Sequence, residues 1–168
     1  MNGITNIYIE KVMCNFNLNF KGVFSSNDIP FFTENENISF ICNLSKRNQK
    51  GSHYVAMFIF NHKIIYFDPL GFDCYVKEII DYLKLYKRKV EHSYYEIQHP
   101  FYFHCGYFCI GFILALSSKL SLTQYSNLFE KINLTINDDI VCNFIIEMIN
   151  KYLHLYFLSL NVDHFLVK

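Results

Sequence analysis

Neither charge is in excess, tryptophan is absent, and there are only three prolines and six glycines. Lysine plus arginine and aspartate plus glutamate both total 15, so net charge gives no argument for a nucleic-acid partner, and any such contact is expected to be weak. The sparse Pro and Gly mark no linker, and no internal repeat is visible. Residues 1–168 therefore read as one domain, large enough to bury a real core. The opening residues, Met1 to Asn6, lack a basic region and an apolar block, so a non-secreted chain is expected. The apolar tail Leu153 to Leu160 is too short and interrupted to cross a bilayer, and no membrane partner is expected. Six cysteines (14, 42, 74, 105, 109 and 142) show no paired spacing. In a non-secreted chain they read as reduced thiols; Cys105 and Cys109 stand four apart on one helix face, no His/Cys pair elsewhere has zinc spacing, and no metal is expected. The missing tryptophan, beside 13 Tyr and 18 Phe, reads as coding bias and says nothing of function.

What is present centres on residues 104–116, His-Cys-Gly-Tyr-Phe-Cys-Ile-Gly-Phe-Ile-Leu-Ala-Leu. An uncharged apolar run of this length, without alternation, reads as a buried central helix. Cys105 then stands in its first turn, where unpaired N–H groups and the positive end of the helix dipole favour a thiolate. Gly106 allows a close approach to the backbone. A small buried hydrophobe is the competing role for Cys105.

Around it, Thr5–Val12 reads as a short helix, Asn17–Phe24 as an edge strand, Ser25–Pro30 as a turn and Ile38–Leu44 as a strand. His53–Phe60 and Lys63–Asp68 form two strands joined by Asn61-His62 and stopped by Pro69-Leu70-Gly71. If Phe60 opposes Lys63, Val55 opposes Asp68, and His53 becomes a diagonal neighbour of Asp68, roughly 5–8 Å away at Cβ. Tyr75–Lys89 reads as an amphipathic helix and Ser93–Gln98 as a short strand. The cluster Lys84, Lys87, Arg88 and Lys89 reads as a solvated helix face. Leu120–Thr135 reads as a helix and a turn. A last helix runs from Ile140 to about Leu158, with Asp138 and Asp139 at its N-terminus and Ile140, Phe144, Ile145, Met148, Ile149, Tyr152 and Leu153 on one face. The fold class is α+β, a small mixed sheet packed around the helix that carries Cys105.

Acyl transfer by cysteine needs a thiolate, a proton-shuttling histidine, a group that orients the histidine and donors for the oxyanion. The chain offers His53, Asp68, Gln98 and Cys105, in that order. The Gln98 carboxamide stands seven residues before the cysteine and could reach back beside the Cys105 N–H. Each residue taken alone has an ordinary structural reading: a strand-start histidine, a turn-forming aspartate, a surface amide.

The ordered set Gly51-Ser52-His53-Tyr54, Tyr66-Phe67-Asp68-Pro69-Leu70-Gly71-Phe72, Gln98-His99-Pro100 and Cys105-Gly106-Tyr107-Phe108-Cys109 resembles the adenovirus-type (adenain-like) cysteine proteases, whose clan includes the SUMO- and ubiquitin-like-protein proteases. The resemblance covers about residues 20–116. It implies Cys105 as nucleophile, His53 as base, Asp68 as orienting acid and Gln98 as oxyanion donor. It also implies cleavage of viral capsid or core precursors during virion maturation, after small Gly-Gly-like residues. The protein would then be a late protein acting in the virion and the infected cell interior, nucleus or cytoplasm. Many members have tryptophan where this chain has Tyr54, and the orienting acid varies between Glu and Asp. The adenoviral enzymes use a disulfide-linked activating peptide and DNA as cofactors. Here Lys84–Tyr95 holds no cysteine for such a link, the chain is neutral, and no cofactor is required by the sequence. The shorter length points toward the reduced proteases of virophages, polinton-type elements and other double-stranded DNA viruses. The expected partners are polypeptide substrates, and the expected state is a monomer. Two alternatives remain: a protease that removes ubiquitin-like modifiers, and a non-catalytic capsid-binding module of the same fold.

Overall fold

The structure, a computed structural model, describes residues 3–16, 18–33, 37–60 and 62–163, with those from 152 on as backbone only. The elements in chain order are α1 (Asn6–Met13), β1 (Phe20–Ser25), β2 (Ile38–Asn43), β3 (Tyr54–Ile59), β4 (Lys63–Phe67), α2 (Lys77–Lys84), β5 (Lys89–His92), α3 (Cys105–Ser117), α4 (Leu122–Ser126) and α5 (Leu134–Asp163). The strands form one mixed sheet in the order β1-β2-β3-β4-β5. The pairs β2–β3 and β3–β4 are antiparallel, while the outer strands β1 and β5 run parallel to their neighbours.

Sheet residues are buried on both faces, so β2, β3 and β4 read as continuous apolar runs rather than alternating ones. On one face Ile41, Ala56, Phe58, Ile65 and Phe67 meet α1, α3, α4 and α5. On the other, Phe40, Val55, Met57, Ile64 and Tyr66 meet Ile79, Tyr82 and Leu83 of α2. The rings of Phe67 and Phe112 stack at 4.5 Å and 7°, fixing α3 across the sheet. Burial all round α3 explains why its sequence shows no polar stripe.

The hairpin register follows the sequence reading. Ala56 pairs with Phe67 and Met57 with Tyr66, while the Phe60 N–H meets the Lys63 carbonyl at 2.8 Å. Thr5 caps α1 by accepting the Tyr8 N–H. In the expected Asn61-His62 turn, Asn61 lies outside the described residues, as does Asn17 at the start of the expected edge strand.

Four expectations are corrected. The amphipathic helix does not reach Lys89. It ends at Lys84, and Lys87 turns the chain with φ 50°. Lys89–His92 then becomes the strand, and Ser93–Gln98 is not one. The backbone of that segment is satisfied elsewhere: the amides of Ile97 and Gln98 both donate to the Pro69 carbonyl, at 2.9 and 3.1 Å. The basic cluster accordingly spans a helix end, a turn and a strand rather than one helix face, and Arg88 donates to the Phe60 carbonyl. Finally, α5 begins at Leu134, so Asp138 lies inside the helix and is fully buried. The buried face runs through Asn137, Asp138, Val141, Cys142 and Ile145, leaving Ile140 and Phe144 about half exposed. The side chains of Tyr152 and Leu153 lie outside the described residues.

Candidate active site

Asp68 follows the last residue of β4, where Pro69 stops the ladder, and its side chain is completely buried. A buried carboxylate must be hydrogen-bonded. Its Oδ1 accepts the Leu70 N–H at 2.8 Å and meets His53 Nε2 at 2.8 Å, while its backbone N–H and carbonyl both engage the Ser93 hydroxyl at 3.0 Å. Asp68 Oδ2 has no partner among the described residues. Gly71 closes this turn with φ 74°, and a Cβ there would stand 2.8 Å from the Glu96 nitrogen. Only glycine lets segment 95–98 pass so close.

His53 lies just ahead of β3, diagonal to Asp68 as the register requires. With Nε2 held by Asp68, Nδ1 is the nitrogen left for Cys105. Burial alone would lower the imidazole pKa, but the hydrogen bond to Asp68 and the nearby Asp68 and Cys105 groups raise it to about 9. The fold therefore favours imidazolium.

Cys105 is the first residue of α3 and is nearly buried. Two contacts with Tyr54 lock α3 against β3: the Tyr54 N–H faces Cys105 Sγ at 3.4 Å, and the Cys109 thiol donates to the Tyr54 carbonyl at 3.4 Å. Burial pushes the Cys109 thiol well above its ordinary pKa. The close approach that Gly106 permits is made by Ile4. A Cβ on Gly106 would lie 2.6 Å from Ile4 Cγ1. An open cleft of about 700 Å³ ends at Cys105, lined by Gly3–Ile7, Asn43, Ser52, Tyr54 and Phe103 among others.

Gln98 is buried in the loop before α3, and its Nε2 donates to the Tyr102 carbonyl at 2.7 Å. The second amide proton remains for another acceptor, while Oε1 has no partner among the described residues. The geometry thus brings His53, Asp68 and Cys105 together and leaves Gln98 engaged within the loop that leads to the cysteine.

Sequence reasoning missed Asp138. It reads there as a dipole-stabilising acid, yet its Oδ2 accepts the His99 N–H at 2.8 Å and its Oδ1 meets His104 Nδ1 at 2.9 Å. An acid one helical turn before Cys142 and seven residues before Ile145, both buried, is the available signal. Among the described residues no group of three or more His, Cys, Asp or Glu could hold a metal ion, and no helix is long and apolar enough to cross a membrane.

Fold and site together define an α+β chain with a cysteine, a histidine and an aspartate converging at the start of a central helix. No family model and no curated protein sequence matches it. Among solved structures it is similar to a selenomethionine crystal structure of the ASFV pS273R protease, with a TM-score of 0.53 at 16% identity over 79% of this chain. The chain spans 65% of that protein's length. The two share a fold.

Proposed function

We propose that the protein is a cysteine endopeptidase that cuts polypeptide precursors. The observation that carries this reading is a histidine held through Nε2 by a buried aspartate, next to a residue whose N–H faces the sulfur of a helix-start cysteine. An imidazolium beside the sulfur stabilises the thiolate, which is the attacking species. The thiolate adds to the scissile carbonyl, and the oxyanion forms beside the first amides of α3, with Gln98 as the side-chain donor. His53 passes its proton to the leaving amine, and water then releases the acyl group from Cys105 with His53 as base. Asp68 holds the imidazole throughout.

The fold shared with a protease supports the peptide-bond chemistry. The motif resemblance supports capsid or core precursors as substrates, cut after small Gly-Gly-like residues in the maturing virion. The test is cleavage of a capped peptide library by wild type and by Cys105→Ala. Cleavage by wild type alone supports the reading. Equal cleavage by both, or none by either, rejects it. Cleavage confined to ubiquitin- or SUMO-linked reporters assigns the same chemistry to modifier removal.

A further inference from the structure

The segment 97–104 connects both halves of the proposed oxyanion site, because it begins beside Gln98 and ends at Cys105. Burial does not fix its middle. Phe101 is 82% exposed and Phe103 67% exposed, and Pro100 and Tyr102 also face solvent. A loop that displays its aromatic rings to water must be held by hydrogen bonds; beyond those from the Ile97 and Gln98 amides to Pro69 and those inside the loop, here they converge on α5. Asn137 donates to the Ile97 carbonyl at 2.9 Å and also bonds the backbone of Glu130. Asp138 takes the His99 N–H on one oxygen and the His104 imidazole on the other. Both ends of the loop therefore hang on two consecutive side chains that lie more than thirty residues further along the chain.

Packing alone does not call for an acid at this place. Val141, Cys142 and Ile145 continue the same buried face of α5, and an apolar side chain would extend it. Burying a carboxylate instead costs stability unless its hydrogen bonds return it. Burial pushes the Asp138 carboxyl above its ordinary range, against the His99 N–H and His104 imidazole that draw it down. His104 Nε2 is buried without a partner among the described residues, so Asp138 is the ring's only hydrogen-bonding anchor among them.

We propose that Asp138 and His104 are positioning residues for acyl transfer, with Asp138 clamping the loop so that Gln98 and the Cys105 amide keep the geometry the oxyanion needs. This rests on the reading of Cys105 as an acyl-transfer nucleophile. A displacement of about 1 Å at such a site costs on the order of a hundredfold in rate, so a clamp remote from the sulfur is kinetically visible.

The test uses the full chain and two probes. With 4-nitrophenyl acetate, Cys105 Sγ bonds to the acetyl carbon, the ester C–O bond breaks and 4-nitrophenolate leaves, through a tetrahedral oxyanion. With iodoacetamide, sulfur displaces iodide at carbon and no oxyanion forms. Asp138→Asn is expected to lower kcat for the ester by roughly ten- to a hundredfold, with KM little changed and alkylation of Cys105 within about twofold of wild type. His104→Asn, which keeps an N–H near the position of Nδ1, is expected to retain most of kcat, while His104→Leu falls with Asp138→Asn. Asp139→Asn removes the same charge from the exposed neighbouring position and is expected to change neither reaction. Parallel loss with both probes makes the clamp a folding contact only and overturns the proposal, as does no loss with either. A wild type that is alkylated at Cys105 but never acetylated rejects the acyl-transfer reading itself, and the clamp with it.

Discussion

His53 couples the chemistry of the site to the stability of the fold. Its native pKa of about 9 stands above the ordinary 6.5, so the native state holds the proton more tightly than the unfolded chain. The resulting stabilisation is fully present below about pH 6.5 and is lost as pH rises through about 9. At about 1.4 kcal/mol per unit, it amounts to at most about 3–4 kcal/mol. The wild-type urea midpoint should therefore fall between pH 6.5 and 9.5, and His53→Ala should flatten that fall. A midpoint that instead rises over this range would show that the native imidazole is not the tighter base. Thiol labelling at neutral pH should also single out Cys105 over Cys109 and Cys142, whose pKa values burial raises, the latter to about 12. Mass spectrometry after brief iodoacetamide treatment checks this, and labelling spread evenly over the buried thiols would contradict it. The proximity of His53 to Asp68 was legible beforehand, because a short turn sets the register and the register sets the diagonal. The burial of Asp138 was not. An acid near an expected helix start has a sufficient local explanation, and its distant partners leave no mark on neighbouring residues.

Among the elements, the loop that closes β4 and the first turn of α3 leave the least room. Gly71→Ala would strain a positive φ and press a methyl into the backbone of Tyr95 and Glu96. It should destabilise the protein by about 1–3 kcal/mol and lower esterase activity further than that loss of stability explains, since the same segment carries Gln98. A thermal melt beside single-turnover acetylation separates the two effects. Gly106→Ala presses hardest on the Ile4 side chain, with Ile9 Cδ1 next at 3.3 Å, and touches no backbone among these. The double variant Gly106→Ala/Ile4→Ala should therefore be more stable than Gly106→Ala corrected for Ile4→Ala alone, a coupling that urea titration of the four proteins measures. The hairpin and α3 were readable from the sequence because their signals are local: a turn and an uncharged apolar run. The strand β5 was not, because Lys89–His92 is short and half exposed and gains its order from parallel pairing with β4. The apparent continuation of α2 through Tyr86 concealed it, since Tyr86 is buried against the same side of the sheet although it lies past the helix end.

Over the whole molecule, two apolar layers share one sheet. Phe112 lies in the layer that holds α3 and Phe40 in the layer that holds α2. Either truncated to alanine should cost about 3–5 kcal/mol and move a single unfolding transition, because neither layer can lose its packing without exposing strands that the other also covers. Circular dichroism and tyrosine fluorescence should trace the same urea curve in both variants, and two separated transitions would show that the layers melt independently. The dependence of loop 97–104 on α5 also has a consequence in time. A growing polypeptide presents His53, Asp68 and Cys105 before Asn137 and Asp138 have been synthesised. The loop that leads to Cys105 can be fastened only after α5 has docked, and a ribosome-bound fragment ending before Asn137 lacks the means to fasten it.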